Sequence, residues 1–300
     1  MRKSFGFSRI FLGLLSIVLI AFLLASTDFA QVWSTLSQAR LELVGAALVA
    51  AFFSVFVKTL RWRVLLQEKK KIDVKKLFLV QASGLAVSNL SPGKILEPFK
   101  VIPLNGAGVS YGFLVSSVFW ERAMDLILLF ALALGSLAFL DSNAGLFLQA
   151  GFVLLLATIV VMFRNSRKAL ELASKFPFLN FLEKAEAHDF RKRSLLAAMV
   201  LTLLAWTGDF TAIFFSFLSL GMEIDFLGLA SAFSISVLAG IISFLPGGVG
   251  STEAVFAIML SAAPYALPKI VAGVFLSRIT TILFTTLLGL ALLPMVRKQD

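Results

Sequence analysis

Two arginines, Arg122 and Arg278, stand within long apolar stretches, and each follows a glutamate by 25 residues, Glu97 in one case and Glu253 in the other. A charge left unpaired in hydrocarbon costs about 3 kcal/mol or more, so each guanidinium needs an anionic partner. Two kinds of partner are open. One is the phosphate of a lipid headgroup, whose oxygens match the planar guanidinium fork. The other is an internal ion pair, with Asp125 one helical turn from Arg122, or with Glu97 and Glu253 themselves.

Each glutamate also follows a Pro-Gly pair. Asn89-Leu90-Ser91-Pro92-Gly93 leads to Glu97 and then to Val118-Phe119-Trp120-Glu121-Arg122; Ser243-Phe244-Leu245-Pro246-Gly247 leads to Glu253 and then to Val274-Phe275-Leu276-Ser277-Arg278. Pro and Gly together break a helix, so Glu97 and Glu253 are expected in the first turns of short helices, where the helix dipole favours a carboxylate. Ser251 or Thr252 is placed to cap the second. The two glutamates can hold the breaks together by capping and salt bridges, or can meet substrate or a proton. The backbone N–H groups of Gly247, Gly248 and Gly250 can cradle an anionic headgroup, with Gly93 as the counterpart in the first break, although a tight turn accounts for these glycines equally well. Lys94 and Lys100 flank the first break and either attract anionic headgroups or are simply solvated. Asp209, in Trp206-Thr207-Gly208-Asp209, is a candidate proton-coupling group or an arginine's partner, and Glu121 and Asp125 join it as candidates. His188, the one histidine, falls in a charged connection and is expected in solvent.

The elements that must position these groups are apolar. The chain is 59% hydrophobic and 15% charged, with mean hydropathy +0.95, outside the range in which a soluble domain can cover its core. Apolar runs predict full spans near 9–28, 42–62, 112–140, 146–163, 195–219 and 270–293, the first expected to remain uncleaved. Two further stretches, 77–91 and 227–245, run into the Pro-Gly breaks. Treating both as re-entrant hairpins places 23 of the 27 Lys and Arg residues on the cytoplasmic side, leaving Arg40 and Lys269 outside and Arg122 and Arg278 within spans. A full crossing by 77–91 would put the basic stretch 164–193 on the wrong side. The net charge of +10 thus orients a membrane protein and points away from nucleic acid. The stretch 164–194 mixes cations with Phe176, Phe178 and Phe181, which predicts a cytoplasmic interfacial loop on an anionic leaflet.

The predicted fold is all-α integral membrane, one domain over 1–300, with about six full spans and two re-entrant helical hairpins. Repeat 1 covers about 77–140 and repeat 2 about 227–294, inverted in the membrane, and such broken helices in transporters meet near the midplane beside the binding site. Both termini are expected to be cytoplasmic, in the plasma membrane.

Ser88 to Lys100, the Glu121-Arg122 pair, Leu60-Arg61-Trp62-Arg63 and Leu245-Pro246-Gly247-Gly248-Val249-Gly250-Ser251-Thr252-Glu253-Ala254 resemble the lysylphosphatidylglycerol synthase transmembrane-region family, which includes the flippase half of two-domain synthases and many stand-alone proteins. Leu96 departs from the glycine that the family usually places before the first glutamate. The aminoacyl-transferase domain of two-domain members has no counterpart in these 300 residues, so the resemblance implies a flippase and not lipid aminoacylation.

No phosphate loop of the G-x-x-x-x-G-K-[ST] type is present, which argues against an ATP-driven pump. Cysteine is absent and clustered metal ligands are not evident, so no cofactor or metal is expected. The expected activity is movement of an anionic lipid or polyprenyl-phosphate-linked sugar between leaflets by alternating access. A membrane-embedded glycosyltransferase and an ion or small-solute carrier are the other readings.

Overall fold

The computed structural model describes residues 28–91, 96–105, 107–137, 185, 188, 190–243, 245 and 247–297. Among the described residues the regular structure is all helical. Several helices begin where the sequence supplies a cap. Asp28 Oδ1 accepts from Ala30 and Gln31 N–H at 2.9 and 3.3 Å to start α1 (Phe29–Ser37). Asp73 Oδ2 accepts from Lys75 and Lys76 N–H at 2.9 and 3.2 Å at the start of α3 (Val74–Asn89), and Asp225 Oδ2 from Gly228 N–H at 2.7 Å at the start of α6 (Phe226–Ile242). Each carboxylate satisfies backbone donors that the first turn leaves without partners.

Between these lie α2 (Leu41–Leu66), a 3₁₀ helix (Glu97–Leu104), α4 (Tyr111–Leu137) and α5 (Lys192–Ser219). Beyond α6 come α7 (Ser251–Leu260), α8 (Leu267–Arg278), a π-helical turn (Ile279–Leu283) and α9 (Phe284–Arg297). Among the described residues, three helical stretches are long and apolar enough to cross a bilayer: Leu41–Leu66, Lys192–Ser219 and Leu267–Val296, of 26, 28 and 30 residues. They carry large exposed apolar side chains such as Val49 (70% exposed) and Leu196 (66%), which only a hydrocarbon solvent accommodates in such numbers. α4 covers the expected span 112–140 up to Leu137, with Glu121, Arg122 and Asp125 in its interior. The expected spans 9–28, save Asp28, and 146–163, and most of the loop 164–194, lie outside the described residues.

Two helices end at the breaks. α3 has 16 residues and α6 has 17, about 24 and 26 Å long, both short of the roughly 30 Å of a hydrocarbon core. After α6 the chain turns through Gly247, Gly248 and Gly250 at φ +60°, +68° and +90°, a region that costs any other residue about 1 to 2 kcal/mol. It then restarts as the ten-residue α7.

The described residues divide into two units. The first takes its residues from Met1–Ala51, Ser88–Lys94 and Asp209–Phe284. Its core is a line of edge-on aromatic contacts, Phe210 with Phe233, Phe233 with Phe256 and Phe256 with Phe217, at 6.4, 5.4 and 5.6 Å between centroids. A second contact is made by small residues, Ala47, Ala51 and Ala212, which let helices approach closely. The other unit takes its residues from Phe52–Val87, Ile95–Gly208 and Thr285–Asp300. Trp62, Leu66, Leu77, Phe113, Leu114 and Trp120 are central to its core. There Gly289 of α9 lies against the Ala82 carbonyl and Ala86, and Ser83 Oγ donates to the Gly289 carbonyl at 3.3 Å.

Candidate functional site

The two glutamate–arginine pairs that the sequence spaces by 25 residues are both closed as salt bridges, one in each unit. Arg122 Nη2 lies 2.9 Å from Glu97 Oε1, and Arg278 Nε lies 2.5 Å from Glu253 Oε1. The surroundings of the two pairs differ.

The Glu97–Arg122 pair is part of a network of three cations and three carboxylates. Arg61, fully buried on α2, reaches Glu121 Oε1 from Nε at 3.1 Å and Asp125 from Nη1 and Nη2 at 2.6 and 3.4 Å. Its Nη1 also donates to Thr202 Oγ1 at 3.2 Å. Lys100 Nζ meets Glu121 Oε2 at 2.5 Å, Gln81 Oε1 at 2.9 Å and Glu97 Oε1 at 3.5 Å, and stands 4.4 Å above the Trp62 ring. Asp125 further receives Trp206 Nε1 at 2.9 Å and Arg122 Nη2 at 2.7 Å. The charges formally cancel, which lets six ionised groups sit among buried side chains. Arg122 alone is a third exposed; the other five side chains are at most 5% exposed.

Sequence reasoning read Arg61 as one of the cytoplasmic cations at a helix end; the structure buries it in this network. It also offered Lys100 a solvated or headgroup-facing place, whereas Lys100 is 2% exposed and ion-paired, pressed close to Gly84. His188 is not in solvent either. Its Nε2 bonds Glu68 Oε2 at 2.9 Å and its ring packs edge-on against Phe113 and Phe190.

The Glu253–Arg278 pair is simpler and built on the second break. Glu253 sits in the first turn of α7 and its Oε2 accepts the Gly250 N–H at 2.5 Å. Gly250 is therefore the residue at the cap; Ser251 and Thr252, the expected caps, lie one and two residues inside. Arg278 Nη2 donates to the Gly247 carbonyl at 2.8 Å, so one guanidinium ties α8 to both the turn and α7. Gly247 N–H in turn donates to the Ser91 carbonyl at 3.3 Å, which brings the two broken segments into contact. Beside this turn a small recess of about 10 Å³ is lined by Val237, Gly240, Ile241, Gly247, Gly248, Thr252 and Arg278.

Of the residues singled out in the sequence, Arg122, Glu97, Lys100, Glu121 and Asp125 share the network, and Arg278, Glu253, Gly247 and Gly248 share the second site. Asp209 is half-buried on α5. Gly93 and Lys94 lie outside the described residues. Arg61, Gln81, Thr202 and Trp206 belong to the network without having been singled out; the one signal in the sequence was the Arg-Trp pair, Arg61-Trp62, at the end of an apolar run.

Apolar, outward-facing helices around buried ion clusters define an all-α integral membrane protein. The chain belongs to the family described as the lysylphosphatidylglycerol synthase transmembrane region, whose model matches residues 9–289. Among similar curated proteins is a UPF0104 membrane protein of Pyrococcus horikoshii, 25% identical, with 92% of this chain and 93% of that protein covered. A UPF0104 membrane protein of Methanothermobacter thermautotrophicus is 22% identical, with 83% of each chain covered. Another, of Methanocaldococcus jannaschii, is 18% identical over 95% of this chain and 94% of its own length.

Proposed function

We propose that the protein is a flippase that moves an anionic lipid, or a polyprenyl-phosphate-linked headgroup, between the leaflets of the cytoplasmic membrane by alternating access. The observation that carries this reading is the pair of matched units: a helix break, a glutamate in the turn after it, and an arginine 25 residues on that closes a salt bridge of 2.9 Å in one and 2.5 Å in the other. Guanidinium groups held beside broken helices are suited to an oxyanion that must leave water, because the charge is fixed in place before the ligand arrives. Lipid flipping also accords with the family.

The proposed topology has about six spans and two re-entrant hairpins, with repeats at about 77–140 and 227–294 inverted in the membrane and both termini in the cytoplasm. Contacts inside each unit support it. Segments expected outside meet one another: Arg40 Nη2 donates to the Leu218 carbonyl at 2.7 Å, and the Glu223 N–H to Tyr265 Oη at 2.9 Å. Segments expected inside do likewise: the Arg191 N–H donates to Glu68 Oε1 at 2.8 Å, and the Lys70 ammonium lies against Gly108. The last contact is the one expected of a chain that returns after 77–91 to the side it left.

In liposomes carrying fluorescent lipids quenched by dithionite from outside, the protein is expected to expose inner-leaflet anionic lipid to the quencher faster than protein-free vesicles do. Arg278→Ala and Arg122→Ala should each abolish that gain. Equal quenching with and without protein over a broad panel of lipids would overturn the proposal. A glycosyltransferase would instead form product in detergent, where no second leaflet exists.

A further inference from the structure

The two matched glutamates are held in different ways. Both oxygens of Glu253 are engaged, Oε1 on Arg278 and Oε2 on the Gly250 N–H. Glu97 is 1% exposed, yet among the described residues neither of its oxygens accepts a hydrogen bond. It is held by charge alone: Oε1 faces Arg122 Nη2 at 2.9 Å and Lys100 Nζ at 3.5 Å, and Oε2 has no donor. A buried carboxylate oxygen without a donor is an open place for a proton, which needs no cavity to enter.

The other two carboxylates of the same network are not open in this way. Glu121 accepts from Arg61 Nε on one oxygen and from Lys100 Nζ on the other, and Asp125 accepts from Arg61 and Trp206. Discharging either would take a bonded anion from Arg61, which is fully buried. Discharging Glu97 strands no cation. Lys100 keeps Glu121 Oε2 at 2.5 Å and Gln81 Oε1 at 2.9 Å, and Arg122 keeps Asp125 Oδ2 at 2.7 Å.

The six charges of the network cancel, and Arg122, a third exposed and with its Nε donor unbonded, is where an incoming anion meets them. The charges acting on Glu97 are Arg122 and Lys100, with Asp125 and Arg61 behind them and Glu121 across Lys100. While Arg122 faces it, the carboxylate stays ionised. A phosphate that draws Arg122 leaves one negative charge in excess and sets Glu97 beside a second anion in a buried place, where two such neighbours cannot both stay ionised. A proton on Glu97 Oε2 restores the balance: the O–H bond forms with a proton from water on the loading side and breaks to water on the other. We infer that Glu97 carries a proton with each anionic headgroup, so that transport is coupled to the pH gradient across the membrane. The inference rests on the flippase reading, and it gives the first unit a task for which the second, with its fully bonded glutamate, is not built.

The test uses the full chain in liposomes with a fluorescent phosphatidylglycerol, its leaflet distribution read by dithionite under an imposed pH gradient while potassium and valinomycin hold the voltage at zero. Coupling to one proton should concentrate the lipid in the leaflet facing the more alkaline side, about tenfold per pH unit, because a pH unit and a tenfold ratio are the same free energy. Protein-free vesicles over the same interval, and vesicles given nigericin, should show no such ratio. In Glu97→Gln whatever flipping remains should bring the leaflets to a ratio of about one at any gradient, while Glu253→Gln, whatever its rate, should keep the tenfold response. A second measurement needs no flipping: on binding dihexanoylphosphatidylglycerol in weakly buffered detergent, the unsubstituted protein should take up about one proton per lipid and Glu97→Gln none. Flipping that is indifferent to the gradient, no proton uptake by the unsubstituted protein, or a Glu97→Gln variant that still concentrates lipid or still takes up the proton would each overturn the coupling and leave the flippase reading standing. No flipping by the unsubstituted protein at any gradient would overturn both.

Discussion

Arg61 shows what a single residue can decide. Its guanidinium faces Glu121 and Asp125 at once, and removing it strands two carboxylates in a buried place. Breaking a buried pair in that way costs about 3 to 5 kcal/mol. Arg61→Ala should therefore lower the thermal midpoint in detergent sharply, and Arg61→Lys should recover little of it, because a point ammonium cannot span both acids as the fork does. Arg278→Ala should lower the midpoint less, since Glu253 keeps its bond to the Gly250 N–H. The two Glu–Arg pairs were legible in the sequence because charges within apolar runs are conspicuous and their spacing repeats. The rest of the network was not. Arg61 lies 60 residues from Glu121 and 141 from Thr202, and nothing in a local pattern joins them. Lys100 was misplaced for a similar reason: a lysine next to a helix break reads as solvated until Gly84 and Trp62 are seen packed on its stem and head.

At the scale of elements, the breaks follow from sequence and the close contacts do not. Pro-Gly predicted where α3 and α6 stop, whereas the aspartates that cap α1, α3 and α6 were not singled out in the sequence. Which helices touch depends on small residues whose partners are distant. Gly289 of α9 is one: any side chain there meets the Ala82 carbonyl and Ala86 of α3. Gly289→Leu is expected to separate the two segments and lower the thermal midpoint, with the Ser83 bond to the Gly289 carbonyl lost as well. Ala86→Gly alongside it should return part of the loss by making room. An unchanged midpoint in Gly289→Leu would show that the close approach is dispensable.

At the scale of the whole molecule, composition announced a membrane protein, and apolar lengths located the long helices, since the hydrocarbon thickness sets how many residues a span needs. Orientation is the remaining quantity, and the chain is well suited to measuring it because it contains no cysteine. Single cysteines at Lys70 and Asn105 should react with a membrane-impermeant maleimide from one face only, and a cysteine at Tyr265 from the opposite face only. Reaction of the Asn105 and Tyr265 positions from a common side would remove the inverted arrangement and the transport mechanism built on it.

The π-helical turn at Ile279–Leu283 comes directly after Arg278. Such a turn arises when one surplus residue is lodged in an α-helix. Excising a single residue from within 279–283 would return the 30-residue stretch Leu267–Val296 to ordinary pitch with little disturbance on either flank. The same excision a turn earlier, within α8, would swing the guanidinium by about 100° relative to the start of that helix, the angle one residue subtends about the axis. The stretch therefore has one spot that forgives shortening, and it adjoins the residue whose aim matters most.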